Sequence, residues 1–141
     1  MTQRYGDDAT IREVLTGIGD TWAVVGLGDN PERPAYDVAR FLQQRLGKRI
    51  VPVHPRAQTV HGEPGYRSLE EIPFTVDVVD LFVNSTRVGP LVDEAVRIGA
   101  KAVWLQVGVV DAAAFSRARR AGLLAVMDTC PKIEAPRLGL A

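Results

Sequence analysis

The chain has 141 residues, of which 46% are hydrophobic and 24% are charged, and these ordinary globular values exclude a disordered or low-complexity chain. The length fits one domain and is too short for two domains of full size. Seventeen basic and seventeen acidic residues cancel, so the composition does not indicate nucleic acid or an anionic membrane as the partner.

The number of cysteines and the length of the apolar runs indicate the cellular compartment. The single cysteine, Cys130, cannot close an intramolecular disulfide, and the first eight residues lack the apolar core of a signal peptide. Gly, Asp, Arg or Pro interrupts every apolar run well before the roughly 18 residues that a membrane-spanning helix needs. We therefore expect a cytoplasmic protein without a membrane span.

Apolar residues at helical spacing alternate along the chain with short, continuous apolar runs of the kind found in buried strands. The predicted elements are, in chain order, a leading helix at 8–19 within residues 1–20, a strand at 22–26, a helix at 35–46, a strand at 49–54, a strand at 77–83, a helix at 88–98, a strand at 102–106, a helix at 111–121 and a strand at 123–127.

This alternation predicts a single Rossmann-like domain over residues 1–141, with a doubly wound, mainly parallel sheet of about five strands and helices on both faces. Pro52 cannot donate to a strand ladder, so the second strand is expected to end early or to lie at an edge. Residues 131–141 contain two prolines and show weak periodicity, and they predict a short tail on the surface.

The loop after the first strand has the residue types of a phosphate site. In a doubly wound sheet, ligands bind beyond the carboxyl ends of the strands. Gly26 and Gly28 would let backbone amides approach a ligand, and the next helix would direct its positive end at the same place, which fits a diphosphate. Pro31 stands where the dinucleotide fingerprint has its third glycine, so the sequence gives only a weak indication for NAD.

Positive charge follows the second strand. NAD enzymes place an acidic residue there to hold the ribose hydroxyls, whereas this chain has His54, Pro55 and Arg56. Arg56 and a protonated His54 would attract a phosphate on the ribose, such as the 2′-phosphate of NADP or the 3′-phosphate of coenzyme A (CoA). Exposed arginines are often merely solvated, but Arg33 and Arg56 are expected beside one loop, which favours a binding role.

Five ordered segments resemble those of the small stand-alone CoA-binding proteins, whose domain is similar to the nucleotide-binding domain of the succinyl-CoA synthetase alpha subunit. The segments are 25–36 (VGLGDNPERPAY), 51–56 (VPVHPR), 62–69 (GEPGYRSL), 76–82 (VDVVDLF) and 103–108 (VWLQVG). The resemblance implies CoA or an acyl-CoA as ligand, with the diphosphate on the glycine loop and the pantetheine arm beyond the third and fourth strands. The implied ligand-binding residues are Gly26, Leu27, Gly28, Asp29, Asn30, Arg33, Pro34, His54, Pro55, Arg56, Asn84, Ser85, Gln106 and Gly108.

The chain departs from these relatives in two ways. Many of them carry Phe-Arg after the third strand, where this chain has Phe82-Val83, so one expected cation is missing. The chain also has no room for the second domain that brings the phosphorylated histidine of the synthetase. We therefore predict a binding or regulatory module without catalytic residues. The alternative is an NADP-dependent oxidoreductase, or a CoA-transferring enzyme that a partner subunit completes; a homo-oligomer also stays open.

Other conspicuous residues have structural explanations. His61 has no acidic or thiol neighbour at metal-ligand spacing, so no metal site is predicted. Cys130 is interpreted as an inert thiol, with disulfide exchange with CoA as the alternative. Asp77 and Asp80 fall inside the third strand and are expected to satisfy backbone donors rather than to act as acid or base. Packing roles are predicted for Trp22, Tyr36 and Trp104.

Overall fold

The structure, a computed structural model, describes residues 5–141, in which helices and strands alternate as predicted. The elements are α1 (Asp8–Thr16), β1 (Thr21–Val25), α2 (Pro34–Arg45), β2 (Arg49–Val53), a 3₁₀ turn (Leu69–Glu71), β3 (Val78–Leu81), α3 (Ser85–Arg97), β4 (Ala102–Leu105), α4 (Ala112–Arg120), β5 (Leu124–Met127) and α5 (Pro131–Arg137). The first four residues of the predicted leading segment lie outside the described residues. Within 5–141, no helix is long and apolar enough to cross a membrane.

The five strands form one parallel sheet in the order β2-β1-β3-β4-β5. Pro52 lies in β2 at one edge, which confirms the edge position predicted from its missing N–H. Single bridges continue beyond both edge strands, from Val53 of β2 to Tyr66 and from Met127 of β5 to Tyr5. Each edge strand therefore has further chain beside part of its length.

Two hydrophobic layers enclose the sheet. Buried residues of α1, α2 and α5 pack on one face together with Trp22 and Trp104, whose ring centroids are 5.9 Å apart. Buried residues of α3 and α4 pack on the other face. Both tryptophans are fully buried, as predicted. The doubly wound fold class is confirmed, and because α2 and α3 cover opposite faces, a crevice opens between the ends of β1 and β3.

Residues 131–137 form a helix, so the prediction of a surface tail was wrong for this segment. Pro131 occupies the first turn, where its missing N–H has no intrahelical partner to lose. Glu134 and Ala135 are buried, and the Thr129 hydroxyl donates to Glu134 Oε2 at 2.7 Å. These contacts fix α5 against the sheet, although a segment with two prolines is also typical of a loop.

The third helix begins three residues earlier than predicted. The Asn84 side chain accepts a hydrogen bond from the Thr86 N–H at 2.9 Å and caps the first turn of α3. In α4, Asp111 accepts from the Ala114 N–H at 3.0 Å and caps the first turn. The cap at Asn84 places the N-terminus of α3 soon after β3.

Candidate functional site

A cleft of about 1190 Å³ opens beyond the carboxyl ends of the strands, between the first turns of α2 and α3. Its position is the crevice at which ligands bind in doubly wound sheets. Most of the predicted ligand residues line it, whereas three do not. The lining members of the predicted set are Gly26, Gly28, Asp29, Asn30, Arg33, Pro34, His54, Pro55, Arg56, Asn84 and Gln106.

The turn after β1 requires glycine. Gly26 has a φ of +97°, and a Cβ atom there would overlap the backbone carbonyl oxygen of Phe82. Its N–H donates to the Val53 carbonyl at 2.8 Å, which fixes the turn between β2 and β3. Gly28 lies close to the side chains of His54 and Gln58, and a Cβ on Gly28 would be 3.2 Å from Gln58 Oε1. Larger residues would close this side of the cleft.

Side chains shape the loop that follows. Asn30 Oδ1 accepts a hydrogen bond from the Glu32 N–H at 3.0 Å, and the Asp29 N–H donates to Gln58 Oε1 at 3.2 Å. Within residues 5–141, the N–H groups of Gly28 and Asn30 have no protein acceptor. They lie just before α2, so two unpaired donors and a helix N-terminus share one side of the cleft. This combination suits an anion.

Four arginines line the cleft, namely Arg33, Arg56, Arg67 and Arg87, and all are exposed. None of the four makes an ion pair within the described part of the chain. By contrast, four arginines elsewhere are paired with carboxylates. The paired arginines are Arg40, Arg97, Arg117 and Arg137. A domain of zero net charge therefore places four arginines without a carboxylate partner around one cleft, which two acidic residues, Asp29 and Glu94, also line.

Among the lining residues that sequence reasoning missed are three with long polar side chains, Gln58, Arg67 and Arg87. Arg67 reaches the site because Tyr66 pairs with the end of β2, where the His54 N–H donates to the Tyr66 carbonyl at 3.0 Å. Arg87 reaches it because α3 begins at Ser85 rather than at Val88. Arg67 could have been predicted as a lining residue, because it lies in segment 62–69, one of the five segments that resemble the CoA-binding proteins. No local sequence pattern indicates Gln58.

The imidazole of His54 lies at the end of β2, beside the glycine loop. Its Nδ1 accepts from the Arg56 N–H at 3.2 Å, and its Nε2 lies on the Gly28 side. The guanidinium of Arg56 supplies positive charge in the same part of the cleft.

Three predicted ligand residues have structural roles instead. Leu27 is fully buried in the layer beneath α2. The Ser85 hydroxyl donates to the Gly108 carbonyl at 3.1 Å and accepts from the Val110 N–H at 2.9 Å. The Gly108 N–H donates to Asp128 Oδ1 at 2.8 Å. Ser85 and Gly108 thus hold the loop after β4 and do not line the cleft.

A buried carboxyl lies beneath the β4 end of the cleft. Asp80 is fully buried, and burial raises its pKa to about 8, although a hydrogen bond from Gln106 opposes this increase. Gln106 Nε2 donates to Asp80 Oδ1 at 2.6 Å, while Oδ2 has no partner among the described residues. Asp77 accepts from the Thr21 N–H, as predicted, but the Asp80 carboxyl serves to hold a side chain that lines the cleft.

Residues 20–136 match the family described as the CoA binding domain. The chain belongs to this family. The uncharacterized protein YneT of Bacillus subtilis is 32% identical over 125 residues, which cover 89% of this chain and 91% of YneT. A solved structure from Pyrococcus horikoshii is 35% identical, has a TM-score of 0.86 and is matched over 98% of this chain and 99% of its own. The resemblance to small stand-alone proteins is thereby confirmed.

The CoA binding domain also resembles one part of a much larger enzyme. The alpha subunit of acetate–CoA ligase (ADP-forming) II from Pyrococcus furiosus is 32% identical over 81 residues. This match covers 57% of the present chain and 18% of the ligase subunit. The chain thus spans less than a fifth of that relative.

His61 packs against the chain away from the cleft of this CoA binding domain. Its Nε2 lies 2.8 Å from the Tyr36 carbonyl oxygen, and the two ring centroids are 4.4 Å apart. Neither residue lines the cleft, in keeping with the packing role predicted for Tyr36. Over residues 5–141, no group of three His, Cys, Asp or Glu side chains could hold a metal ion.

Cys130 lines the cleft but is only 9% exposed. Burial raises the pKa of its thiol to about 11, and the nearby Asp80 adds to this effect. Only a thiolate attacks a disulfide, so the environment of Cys130 opposes exchange with a disulfide at neutral pH. This electrostatic setting agrees with the interpretation of an inert thiol.

We expect Cys130 to react with dithiodipyridine at pH 7 about a hundredfold more slowly than a cysteine at the usual pKa of 9.0, because its thiolate fraction is about a hundredfold smaller. The rate should rise about tenfold per pH unit up to about pH 11. Absorbance of the released thiopyridone measures the reaction, and protein unfolded in urea is the control. A rate that levels off below pH 9 would contradict the raised pKa.

Proposed function

We propose that this CoA binding domain holds CoA or an acyl-CoA through its glycine loop and acts as a non-catalytic binding or regulatory module. The observation that carries the proposal is the group of four unpaired arginines around the crevice between β1 and β3. CoA carries a diphosphate and a ribose phosphate, so it offers these cations several negative charges at separate points. Membership of the CoA binding domain family supports the same ligand.

In this proposal, the two phosphate positions are served by different loops. The diphosphate accepts hydrogen bonds from the Gly28 and Asn30 N–H groups and pairs with Arg33, beside the N-terminus of α2. The ribose phosphate pairs with Arg56, with the His54 ring and Arg67 nearby. The pantetheine arm then crosses β3 past Asn84 toward Gln106. These roles match the charge and the hydrogen-bonding capacity of the groups named.

The chemistry of the cleft supports binding rather than catalysis. Cys130 lines the cleft, but the pKa of its thiol is raised. The buried carboxyl of Asp80 does not line the cleft. The Nδ1 of His54 accepts a hydrogen bond from a backbone N–H. None of these groups is paired as nucleophile and base. The ligase activity printed for the archaeal relative is not extended to this chain, which spans 18% of that subunit.

The experiment that tests the proposal is native mass spectrometry of the purified protein, followed by calorimetric titration with CoA, dephospho-CoA and NADP. We expect CoA to bind well below millimolar concentration and NADP to bind more weakly. Tight NADP binding without CoA binding would favour the alternative oxidoreductase, and no binding of any of the three below millimolar concentration would refute the proposal.

The ribose phosphate site makes a sharper prediction. Arg56→Ala is expected to weaken CoA about thirtyfold and dephospho-CoA less than about threefold, because only CoA loses a charge-assisted hydrogen bond. Arg45→Ala is the matched control, because it also removes one arginine. Arg45 is exposed in the last turn of α2, away from the cleft that the first turn of this helix borders. Calorimetry measures both affinities. Equal losses for the two ligands would remove Arg56 from that phosphate.

A further inference from the structure

An exposed hydrophobic side chain stands at the β4 end of the cleft. Among the described residues, the large hydrophobic side chains that are exposed belong to Val107 (59%), Val110 (40%) and Ile133 (54%). Of these, only Val107 lines the cleft, next to the mostly buried Val109. A valine that stays in water here gains nothing for the fold, so its contact surface is available to a ligand.

The loop that carries Val107 is held from several sides. The Val109 N–H donates to the Gln106 carbonyl at 2.8 Å and closes a tight turn. Ser85 of α3 and Asp128 after β5 bind the loop backbone through the hydrogen bonds described above. The exposed side chain therefore belongs to a fixed surface, and a ligand would spend little free energy in ordering it.

The described cleft-lining residues after β4 and β5 include one polar amide side chain and no cation. Gln106 is 4% exposed, and its carboxamide is oriented by the hydrogen bond to the buried Asp80. Among the described residues that line the cleft, those after β4 and β5 are Gln106, Val107, Val109 and Cys130, and none of them is cationic. Asp128 and Asp111 adjoin the loop, so a carboxylate would meet repulsion there.

The sheet order places this end where the free terminus of CoA would arrive. β3 lies between β1 and β4, so the ends of β1 and β4 are about 10 Å apart at ordinary strand spacing. A ligand anchored by its phosphates beyond β1 and extended across β3 reaches Gln106 and Val107 with its sulfur end. Whatever is attached to that sulfur faces the valine surface.

We propose that the loop after β4 forms a subsite for a short, uncharged aliphatic acyl group, with Val107 and Val109 in contact with the chain and the Gln106 carboxamide bonded to a polar group next to the sulfur. The inference rests on the proposed binding of CoA and adds the chemical class of the acyl group that the bound CoA carries. A thioester of a fatty acid of about four carbons fits a surface of two valines, whereas an acyl group that ends in a carboxylate does not.

The test compares the affinities of CoA, butyryl-CoA and succinyl-CoA for the wild type and for two serine variants, measured by calorimetry. In the wild type, butyryl-CoA should bind about tenfold more tightly than CoA, the gain expected when about two methylene groups leave water, and succinyl-CoA should bind no more tightly than CoA. Val107→Ser should reduce the advantage of butyryl-CoA over CoA to about threefold. Val110→Ser, in the same loop but outside the cleft, should leave the advantage at about tenfold.

The outcomes separate the subsite from the binding function. If CoA binds but butyryl-CoA has no advantage, or if both valine variants change the advantage equally, the acyl subsite is wrong and CoA binding stands. If succinyl-CoA gains as much as butyryl-CoA, the uncharged specificity is wrong. If neither CoA nor its thioesters bind, the proposed function fails and the subsite with it. Circular dichroism of both exposed-site variants verifies that they are folded.

Discussion

Replacing Gly26 by Ala is expected to lower the free energy of unfolding by about 3 kcal/mol and to remove tight CoA binding. The new Cβ would overlap the Phe82 carbonyl oxygen, and the φ of +97° is unfavourable for any residue with a side chain. Relief of the overlap has to move the turn away from β3, which displaces the Gly28 and Asn30 amides. Urea denaturation and calorimetric titration with CoA measure the two effects.

Gly47→Ala is the matched control for this substitution. Gly47 also has a positive φ, +66°, but no atom lies within 4 Å of the position that its Cβ would take. We expect a loss of about 1 kcal/mol from backbone conformation alone, with CoA affinity unchanged. If both variants lose the same stability, contact with Phe82 contributes nothing and the close approach of the β1 turn is not required.

Replacing Asp80 by Asn is expected to have opposite effects on stability at low and high pH. The carboxyl keeps its proton up to about pH 8 in the folded domain, but loses it near pH 3.8 when unfolded. Between these values the unfolded state binds fewer protons than the folded state, so the wild type loses stability as pH rises, and the loss ends above about pH 8. Asn does not titrate, so the variant lacks this contribution.

At pH 4 the variant should be less stable by about 2 kcal/mol, because its amide nitrogen replaces the partnerless Oδ2 in a buried site. Between pH 4 and pH 8, the titration of Asp80 lowers the free energy of unfolding of the wild type by about 5 kcal/mol, and the variant has no such loss. At pH 8 the variant should therefore be more stable than the wild type by about 3 kcal/mol. Urea denaturation at intervals of one pH unit measures the difference between variant and wild type, which cancels the titration of other groups. A difference that stays constant with pH would contradict a buried neutral Asp80.

The alternation of helices and strands could be predicted because each buried strand is a short apolar run and most of the helices end near glycine. The glycine loop and the cations Arg33 and Arg56 could also be placed, since residues just after a parallel strand share one edge of the sheet. The helix at Pro131–Arg137 could not be predicted from its composition, because proline is compatible with both a first helical turn and a loop.

Long-range pairing explains the rest of what the sequence left hidden. Gln58 binds the Asp29 N–H and Gln106 binds Asp80, and these partners lie 29 and 26 residues apart in the chain. Strand positions alone do not show which side chains become neighbours across the sheet. The hydrogen bond from the Arg56 N–H to His54 Nδ1 likewise depends on the local turn after β2, which residue types alone do not specify.

The short bridges at the two sheet borders bear on how copies of this domain meet. At the β5 border, Tyr5 and Met127 exchange backbone hydrogen bonds of 3.2 and 2.9 Å, and at the β2 border Tyr66 and Pro52 occupy part of the ladder. Unpaired backbone groups are what allow one sheet to grow onto another. Because both borders are partly blocked, growth of one sheet onto another is disfavoured, and the cleft opens at the carboxyl ends of the strands.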